Sequence, residues 1–386
     1  MSRNLFEVEE TSQLKTYKKY PMSIVRGEDV WVYTSEGKKY LDLYGGHAVV
    51  ATGHCHPDVV KAIQNQASEL IFYSNVVYNE TRALAAEALC SIAPKGLKNA
   101  FFVNSGAEAN ENAIKLVRKV TGRPEVITFE GGFHGRTIGA LSATGMPKYR
   151  EAFSPRVGGH LFAPFGDLEA LEAMMSDKTA AVMLEPVQSM YGARTAGPAY
   201  YQGLRDLCDK YGALLVFDEI QTGMGRTGQY FFAPYHGVLP DVISLAKAIA
   251  SGIPMGALLV SDAIASHVGY GDLGTTFGAG PIASAALLAT INVIKNQGLL
   301  DNVTEQSAYM REKLEALPFV KATHGLGLLV GIEFDVEASK VRDYLMDHNI
   351  ITGTSSVSHV LRLLPPLTLK REEIDLFLDV LSKFPG

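Results

Sequence analysis

Short apolar runs alternate with helix-like stretches from about residue 100 to residue 260, and this alternation constrains the fold most strongly. The apolar runs predict strands at residues 100–103, 126–129, 180–184, 214–217, 242–245 and 257–260. Helical periodicity lies between them, at residues 108–120, 167–175 and 200–211. Continuous apolar strands separated by helices are typical of a mostly parallel sheet covered on both faces. The chain is therefore predicted to be an α/β protein.

The two ends of the chain differ from this pattern. Helical patterns at 282–297 and 302–317 lead to strands at 328–334 and 360–364, which predicts a smaller α+β domain. Residues 29–42 predict a hairpin around a Ser-Glu-Gly turn. We therefore expect an N-terminal segment (1–48) packed with the small domain, a large domain (49–284) and a C-terminal small domain (285–386).

Composition excludes several classes of protein. Hydrophobic residues make up 47% of the 386 residues and charged residues 20%, which is ordinary for a globular protein. A net charge of −6 gives no reason to expect nucleic acid or an anionic membrane as partner. We see no secretory signal and no apolar run of about 18 residues. Three scattered cysteines fit a reducing compartment, so a cytoplasmic location is predicted.

Lys247 is a lone cation inside the small and apolar run 244–252. A lysine in apolar surroundings loses its proton readily and becomes a nucleophile. The strand at 214–217 ends in Asp218 and Glu219, and an acid at such an end can hold the protonated ring nitrogen of pyridoxal phosphate (PLP). A lysine and an aspartate placed in this way are the smallest set of residues that PLP chemistry requires. The alternative is a lysine whose side chain simply extends to solvent.

Two loops that follow strands are candidate binding loops. The first loop is Asn104-Ser-Gly-Ala-Glu-Ala-Asn110, where backbone N–H groups at the start of a helix would bind an anion. The alternative is a simple glycine turn in which Ser105 only caps the helix. In Gly131-Gly-Phe-His-Gly-Arg-Thr137, Phe133 would stack on a cofactor ring and Arg136 would bind a carboxylate. The alternative there is a packed phenylalanine beside an exposed arginine.

Three further segments are less specific. Residues 223–228 match G-x-G-x-x-G, but no helical pattern follows, which argues against a dinucleotide site. His54-Cys-His56 lies at the capping turn of a helix predicted at 57–70, and no other ligand cluster accompanies it, so no metal site is predicted. The glycine-rich loop 269–280 is either a phosphate contact or a flexible connection.

Together these segments resemble the class-III aminotransferases, PLP-dependent enzymes of fold type I, over essentially the whole chain. The resemblance rests on the motifs Gly53-His-Cys-His-Pro57, Asn104-Ser-Gly-Ala-Glu-Ala-Asn110, Phe133-His-Gly-Arg-Thr137, Leu184-Glu-Pro186, Phe217-Asp-Glu-Ile-Gln-Thr-Gly223, Lys247, Gly274-Thr-Thr-Phe-Gly278 and Leu361-Arg-Leu-Leu-Pro-Pro366. It implies a large domain with a mostly parallel seven-stranded sheet, a small α+β domain and a homodimer.

The resemblance also implies roles for single residues. Lys247 would bind the cofactor as a Schiff base and then move a proton, while Asp218 would pair with the ring nitrogen. Further cofactor contacts are implied for Ser105, Gly106, Ala107, Phe133, Glu185, Gln221 and, across the dimer, Thr276. Substrate contacts are expected from Arg136 at the distal carboxylate, from Arg362 at the α-carboxylate of glutamate, and from Tyr17, His47 and Met190.

Within the family, the chain is most similar to the branch that moves the terminal amino group of N-acetylornithine or N-succinylornithine to 2-oxoglutarate. Two departures bear on the substrate. Met190 replaces a glutamate that in relatives can pair with the arginine at position 362, and His47 stands where relatives often have an apolar residue or tyrosine. The alternatives are another ω-aminotransferase, acting on ornithine, 4-aminobutyrate or an acylated lysine, or an aminomutase of the glutamate-semialdehyde type.

Overall fold

The computed structural model describes residues 5–385, so residues 1–4 of the predicted N-terminal segment lie outside the described part. The strands in chain order are β1 Ile24–Glu28, β2 Trp31–Thr34, β3 Lys39–Asp42, β4 Leu97–Val103, β5 Glu125–Phe129, β6 His160–Ala163, β7 Thr179–Leu184, β8 Leu214–Asp218, β9 Val242–Leu245, β10 Gly256–Ser261, β11 Val320–Leu326, β12 Leu329–Phe334, β13 Ile350–Ile351, β14 Gly353–Thr354 and β15 Val360–Leu363.

Seven of these strands form the large sheet, in the order β4-β10-β9-β8-β7-β5-β6. Only β10 runs against its neighbours, pairing antiparallel with both β4 and β9. Every residue of β7 and β9 is buried, as strands covered on both faces require. The predicted α/β class and the mostly parallel seven-stranded sheet are confirmed.

Helices cover the sheet and build the smaller part of the molecule. They are α1 Leu5–Ser12, α2 Pro57–Glu69, α3 Glu80–Ile92, α4 Gly106–Thr121, α5 Ile138–Ser142, α6 Pro147–Arg150, α7 Leu168–Met174, α8 Pro198–Tyr211, α9 Ala233–His236, α10 Asp262–Ala265, α11 Pro281–Asn296, α12 Leu299–Glu315, α13 Ala338–Asp347 and α14 Arg371–Ser382. None of the helices between residues 5 and 385 is long and apolar enough to span a membrane.

Two four-stranded sheets lie outside the large one. The first has the order β1-β2-β3-β13, and the second has the order β11-β12-β15-β14. The predicted hairpin is β2 and β3, and β3 also pairs in parallel with β13 near the C-terminal end of the chain. This pairing brings the N-terminal segment against C-terminal residues, while the predicted domain boundaries stay a prediction.

Two backbone hydrogen bonds to Gly145 hold the loop that contains Phe133. Gly145 N–H donates to the Gly132 carbonyl at 2.8 Å, and Gly131 N–H donates to the Gly145 carbonyl at 3.1 Å. A Cβ atom on Gly145 would lie 1.9 Å from the carbonyl oxygen of Phe129. Only glycine therefore fits at this position without moving the end of β5.

We expect Gly145→Ala to lower the free energy of unfolding by about 1–3 kcal/mol, because the added methyl group forces the backbone apart. Gly158→Ala is the matched control, since a Cβ atom there would meet nothing within 4 Å. The control should stay within about 0.5 kcal/mol of the parent chain. Urea unfolding of both variants measures the difference, and equal stabilities would contradict the close approach.

Candidate active site

A cavity of about 430 Å³ opens at the carboxyl ends of the parallel strands. Five segments reach this edge directly after a strand: the residues following β4, β5, β7, β8 and β9. In open α/β sheets, ligands bind at this edge. The cavity is lined by Val49, Asn104, Ser105, Gly106, Ala107, Phe133, His134, Gly135, Arg136, Ile220, Ala246, Lys247, Gly252, Ile253, Pro254 and Met255.

Lys247 stands two residues after β9, at the start of a short 3-10 turn. Its φ of 49° lies in the left-handed region, which is costly for a residue with a side chain. Burial lowers the pKa of its amine, against the raising effect of Asp218 and Glu185 nearby. A lysine with a lowered pKa supplies the neutral amine that a nucleophile needs.

Asp218, at the end of β8, is 3% exposed and accepts hydrogen bonds from neighbours. Its Oδ2 receives the amide of Asn110 at 2.7 Å and lies 2.8 Å from Nδ1 of His134. Its Oδ1 accepts from the backbone N–H of Ile220 at 3.1 Å. Asn110 is oriented in turn by Ser244, whose hydroxyl donates to the Asn110 amide oxygen at 2.6 Å. The carboxylate is thus fixed in position, with Oδ1 the less occupied oxygen.

Helix α4 begins at Gly106 and presents its first N–H groups to the cavity. The Ser105 side chain caps the helix by accepting from the N–H of Glu108 at 3.2 Å. Gly106 and Ala107 lie in the first turn of the helix, so their N–H groups have no carbonyl acceptor within it. Both residues line the cavity. The helix dipole adds to these donors, so this end of the cavity is suited to a phosphate group.

Phe133 is held by the carboxylate that follows β7. Its backbone N–H donates to Oε1 of Glu185 at 2.7 Å. Burial, and then the charge of Asp218, raise the pKa of Glu185 to about 7. The guanidinium of Arg136 lies 4.1 Å from the ring centroid of Tyr149 and 5.6 Å from that of Phe133. These aromatic faces orient an arginine that is otherwise exposed.

The chemistry of these groups fits PLP. The N–H groups of Gly106 and Ala107 fit its phosphate, and the fixed carboxylate of Asp218 fits its protonated ring nitrogen. Phe133 and Ile220 supply apolar surface for the ring, and the amine of Lys247 fits its aldehyde. The two carboxylates at the end of β8 have separate roles, because Glu219 instead accepts hydrogen bonds from Phe232 and Thr222.

A second cationic position lies on β15. Arg362 is only 2% exposed, and three neutral groups accept hydrogen bonds from its guanidinium. The acceptors are the carbonyl of Thr354 at 2.9 Å, the hydroxyl of Ser189 at 3.0 Å and that of Tyr44 at 2.7 Å. Its positive charge is the smallest of the effects on the pKa of Lys247, which it lowers, and Arg362 does not belong to the lining of the Lys247 cavity.

Tyr44 and His47 are carried by a left-handed turn at 45–48. The four residues of this turn have φ angles between 54° and 76°, and His47 has the largest. Asp42 holds the turn because its Oδ1 accepts from the N–H of Tyr44 and of Gly45, both at 2.9 Å. Although His47 keeps contact with solvent, protein atoms packed around it remove part of its hydration, and this, followed by the charges of Arg362 and Lys247, lowers its pKa to about 4. His47 is therefore a neutral imidazole near pH 7.

Several residues predicted from the sequence lie outside the cavity lining. Tyr17 is 81% exposed in the N-terminal segment, and Thr276 is exposed on its loop. Gln221 is buried, and its amide oxygen accepts from the Ser189 hydroxyl at 2.9 Å. Met190 lines a neighbouring cavity of about 750 Å³ instead. The roles proposed for these residues stay predictions.

The sequence reasoning missed the residues that hold the others in place. Asn110 and His134 fix Asp218, while Tyr44 and Ser189 contact Arg362. Asn110 carried a signal, because it is a polar residue on the buried face of α4. Tyr44 carried none, since its contact with Arg362 spans most of the chain. The His54-Cys-His56 segment has structural roles: His54 lies 2.8 Å from Asp42, and His56 caps α2.

The chain is similar to known aminotransferases along its length. The acetylornithine aminotransferase of Methanocaldococcus jannaschii is 42% identical over 390 residues, covering 98% of this chain and 97% of that protein. The acetylornithine aminotransferase of Methanopyrus kandleri is 43% identical over 364 residues, covering 94% of both.

Solved structures agree in fold. The acetylornithine aminotransferase of Elizabethkingia anophelis superposes with a TM-score of 0.87 at 28% identity, covering 98% of this chain and 97% of that chain. An ornithine aminotransferase of Toxoplasma gondii, described with partial occupancy of PLP at its active site, gives 0.92 at 28% identity, covering 98% of this chain and 93% of that one.

The family model for Aminotransferase class-III matches residues 13–384, which is nearly the whole chain. This match agrees with the position of Lys247 and the start of α4 on one cavity, behind whose lining residue His134 lies Asp218. Enzymes of this family depend on PLP, so the cofactor predicted from the sequence is confirmed. The chain belongs to the class-III aminotransferases.

Proposed function

We propose that this enzyme transfers the terminal amino group of an N-acylornithine, N-acetylornithine first, to 2-oxoglutarate. The products are the N-acylglutamate semialdehyde and glutamate, and the reaction belongs to arginine biosynthesis. Relatives about 40% identical over the full length, from archaea and bacteria, are acetylornithine aminotransferases, and this agreement carries the proposal. The two arginines of the site, Arg136 and Arg362, support it because both substrates are anionic.

The residues of the chain divide the binding of the cofactor between them. The N–H groups of Gly106 and Ala107, with Ser105 beside them, would hold the phosphate, and Phe133 and Ile220 would contact the ring. Glu185 and Gln221 would lie on the hydroxyl side of the ring. When bound, PLP supplies an aldehyde that takes up the amino group and a ring that withdraws electrons from the reacting carbon.

Asp218 would keep the ring nitrogen protonated. Opposite unit charges about 4 Å apart attract by about 4 kcal/mol at an effective dielectric constant near 20. Asn110 and His134 hold the carboxylate in place before any ligand arrives, so little reorganisation is needed. Lys247 would then move the proton from the carbon that bears the donor amino group, which is general acid–base catalysis.

Arg136 and Arg362 would bind different carboxylates. Arg136 lines the Lys247 cavity and would bind the carboxylate of the acylornithine or the γ-carboxylate of 2-oxoglutarate. Arg362 would bind the α-carboxylate of glutamate. The neutral ring of His47 lies 4.9 Å from that of Tyr44, the Arg362 partner, and would donate to the acyl carbonyl or to a succinyl carboxylate.

We further propose that the enzyme is a cytoplasmic homodimer in which the partner's Thr276 completes the phosphate site. An apolar stretch is exposed in the single chain and includes Ile71, Tyr73, Val76 and Tyr78. The loop that carries Thr276 is tied to this stretch, because the Asn75 amide donates to the carbonyls of Thr275 and Gly278. An exposed apolar surface of this size supports a subunit interface.

The first prediction concerns the nucleophile. Lys247→Ala should lower kcat by at least about a hundredfold, because both the nucleophile and the proton carrier are lost. The variant should fold like the parent, as judged by circular dichroism. Borohydride reduction of the wild-type holoenzyme, followed by peptide mapping, should label Lys247. Labelling at another lysine would refute the assignment.

The second prediction concerns the donor. Free ornithine would bring an α-ammonium group into the site, and burying a cation without a partner is costly. Because Met190 offers no carboxylate, kcat/KM for N-acetylornithine should exceed that for ornithine by roughly tenfold or more. The assay compares ornithine, N-acetylornithine and N-succinylornithine with 2-oxoglutarate as acceptor. A highest value for free ornithine would overturn the proposal in favour of an ornithine aminotransferase.

His47→Ala extends this assay to the acyl group. If the pocket is built for a succinyl carboxylate, a preference for N-succinylornithine should be present in the parent and lost in the variant. If the pocket is built for an acetyl group, the ratio of kcat/KM for the two acylated donors should be the same in the parent and the variant.

The third prediction separates the two arginines. Arg136→Lys should weaken both substrates roughly tenfold or more, because a lysine cannot reproduce a two-point contact with a carboxylate. Arg362→Lys should raise KM for 2-oxoglutarate and glutamate far more than KM for the acylornithine. Steady-state kinetics of both half-reactions measure these KM values. Equal losses of both variants on both substrates would show that the two arginines do not bind different carboxylates.

A further inference from the structure

The segment 223–228, which matches G-x-G-x-x-G without a helix after it, forms a turn that carries a buried arginine. Arg226 is only 1% exposed. Gly225, next to it, has a φ of 92°, and a Cβ atom there would lie 2.8 Å from the side chain of Leu367. The glycines of this segment therefore allow it to approach the chain beyond β15 closely.

The guanidinium of Arg226 bridges the ends of two strands. Its Nη1 donates to the carbonyl of Leu328 at 3.2 Å and to that of Pro365. The N–H of Leu328 donates back to the Arg226 carbonyl at 3.0 Å. In the antiparallel pair of β12 and β15, Val330 is the partner of Leu363. Two residues beyond this pairing, Leu328 and Pro365 come opposite each other, so Arg226 joins the strand pair at its end.

Arg226 also belongs to the loop that follows β8, the strand that ends in Asp218. This loop is tied to the strand end, because the N–H of Gly223 donates to the Glu219 carbonyl at 2.9 Å. Arg362 lies on β15, one of the two strands that Arg226 joins. Arg226 thus connects the end of β8 to the strand pair that carries the second cation of the site.

The chain after β15 in turn holds the left-handed turn at 45–48. The N–H of Leu364 donates to the Leu43 carbonyl at 2.8 Å, and the N–H of Leu367 donates to the Ala51 carbonyl at 2.8 Å. The carbonyl that accepts from the guanidinium lies between these two hydrogen bonds in the sequence. One buried cation therefore fixes the segment that holds the turn.

A guanidinium is a costly group in this place. Burial lowers the pKa of Arg226 to about 9, and within residues 5–385 it forms no ion pair with a carboxylate. Its Nε and Nη2 have no acceptor among the described residues. Because desolvating an unpaired charge opposes folding, an apolar side chain of similar length would oppose folding less. What such a side chain would lack is a rigid planar donor that holds two carbonyls at once.

We propose that Arg226 is a positioning residue of the substrate site, which sets the position of Arg362 relative to Asp218. The step rests on the proposed function, in which glutamate and 2-oxoglutarate bind by their α-carboxylate at Arg362 and react on a cofactor fixed at Asp218. The acylornithine instead binds its carboxylate at Arg136, on the loop after β5. Arg226 therefore acts on glutamate and 2-oxoglutarate and leaves the acylated donor unaffected.

Arg226→Met tests this role, since methionine fills similar space without donors or charge. KM for glutamate and 2-oxoglutarate should rise roughly tenfold or more, because a small displacement of a binding group weakens its contact strongly. KM for N-acetylornithine should stay within about twofold of the parent value, because separate sites act independently. Arg226→Lys, which keeps a cationic donor, should recover part of the loss.

Binding of unreactive analogues gives a readout that does not depend on turnover. Isothermal titration calorimetry of the holoenzyme uses glutarate, a dicarboxylate without an amino or keto group, and N-acetylnorvaline, an acylated donor without the terminal amine. In Arg226→Met, Kd for glutarate should rise roughly tenfold, whereas Kd for N-acetylnorvaline should not change. Equal rises for the two ligands, as a merely structural role predicts, would overturn the proposal, and so would an unchanged Kd for glutarate.

Gly327→Ala probes the same contact from the other side, should Arg226→Met fail to fold. A Cβ atom on Gly327 would lie 2.4 Å from the Arg226 carbonyl oxygen, so the added methyl group displaces the arginine. Gly122→Ala is the matched control: φ is 53° at Gly327 and 69° at Gly122, but a Cβ atom on Gly122 would meet nothing within 4 Å. Only Gly327→Ala should weaken glutarate binding, and equal Kd values in the two variants would contradict the role of Arg226.

These measurements separate the role of Arg226 from the identity of the donor. If no N-acylornithine is a substrate, the proposed function fails. The glutamate half-reaction and the glutarate titration still decide whether Arg226 positions Arg362, because neither involves an acylated donor.

Discussion

The rest of the site depends on the hydrogen bonds that fix the buried carboxylate of Asp218. It stands at the end of a central strand, where water is excluded, and a charge in such a place survives only with fixed partners. Asn110 comes to it from α4 and His134 from the loop after β5. The helix proposed to provide the phosphate contacts is therefore tied to the residue proposed to hold the ring nitrogen.

The charges of the site are distributed unequally. Its carboxylates are enclosed by donors, and the pKa of Glu185 is raised to about 7 by burial and by Asp218. Within residues 5–385, neither arginine of the site forms an ion pair with a carboxylate: Arg136 lies against aromatic rings, and Arg362 contacts neutral oxygens. Anionic ligands complete such a site, because they provide the charge that the protein leaves out. Burial favours the neutral form of Lys247 by lowering its pKa, although Asp218 and Glu185 raise it.

Two of the residues that present candidate functional side chains have a strained backbone. Lys247 and His47 both have left-handed backbone conformations, with φ of 49° and 76°. Neither is glycine, so the surrounding structure must hold them there. For His47 the holding contact is Asp42, which in turn lies 2.8 Å from His54. The His54-Cys-His56 segment thus supports the site from behind.

Much of the large domain was predictable because buried parallel strands leave an unmistakable apolar pattern. The strand expected at 242–245 is β9 without change, and the others differ by a few residues at their ends. Five strands were not predicted: β1, which is mostly exposed, β6, which is short and at the sheet edge, β11, whose residues are only partly buried, and β13 and β14, which have two residues each. Such strands need less apolar sequence, so their pattern is weak.

The sequence by itself determined most strands of the large sheet and the helices between them, the lysine and aspartate at two strand ends, and the family. Each of these depends on local pattern, because strand, turn and helix signals lie within a few residues of one another. Only the tertiary structure decided which side chains surround Arg362. Tyr44, Ser189 and Thr354 come from three remote segments, and no local rule links them. Their meeting is set by the packing of the sheets, which also leaves that arginine without a carboxylate partner in the described part of the chain.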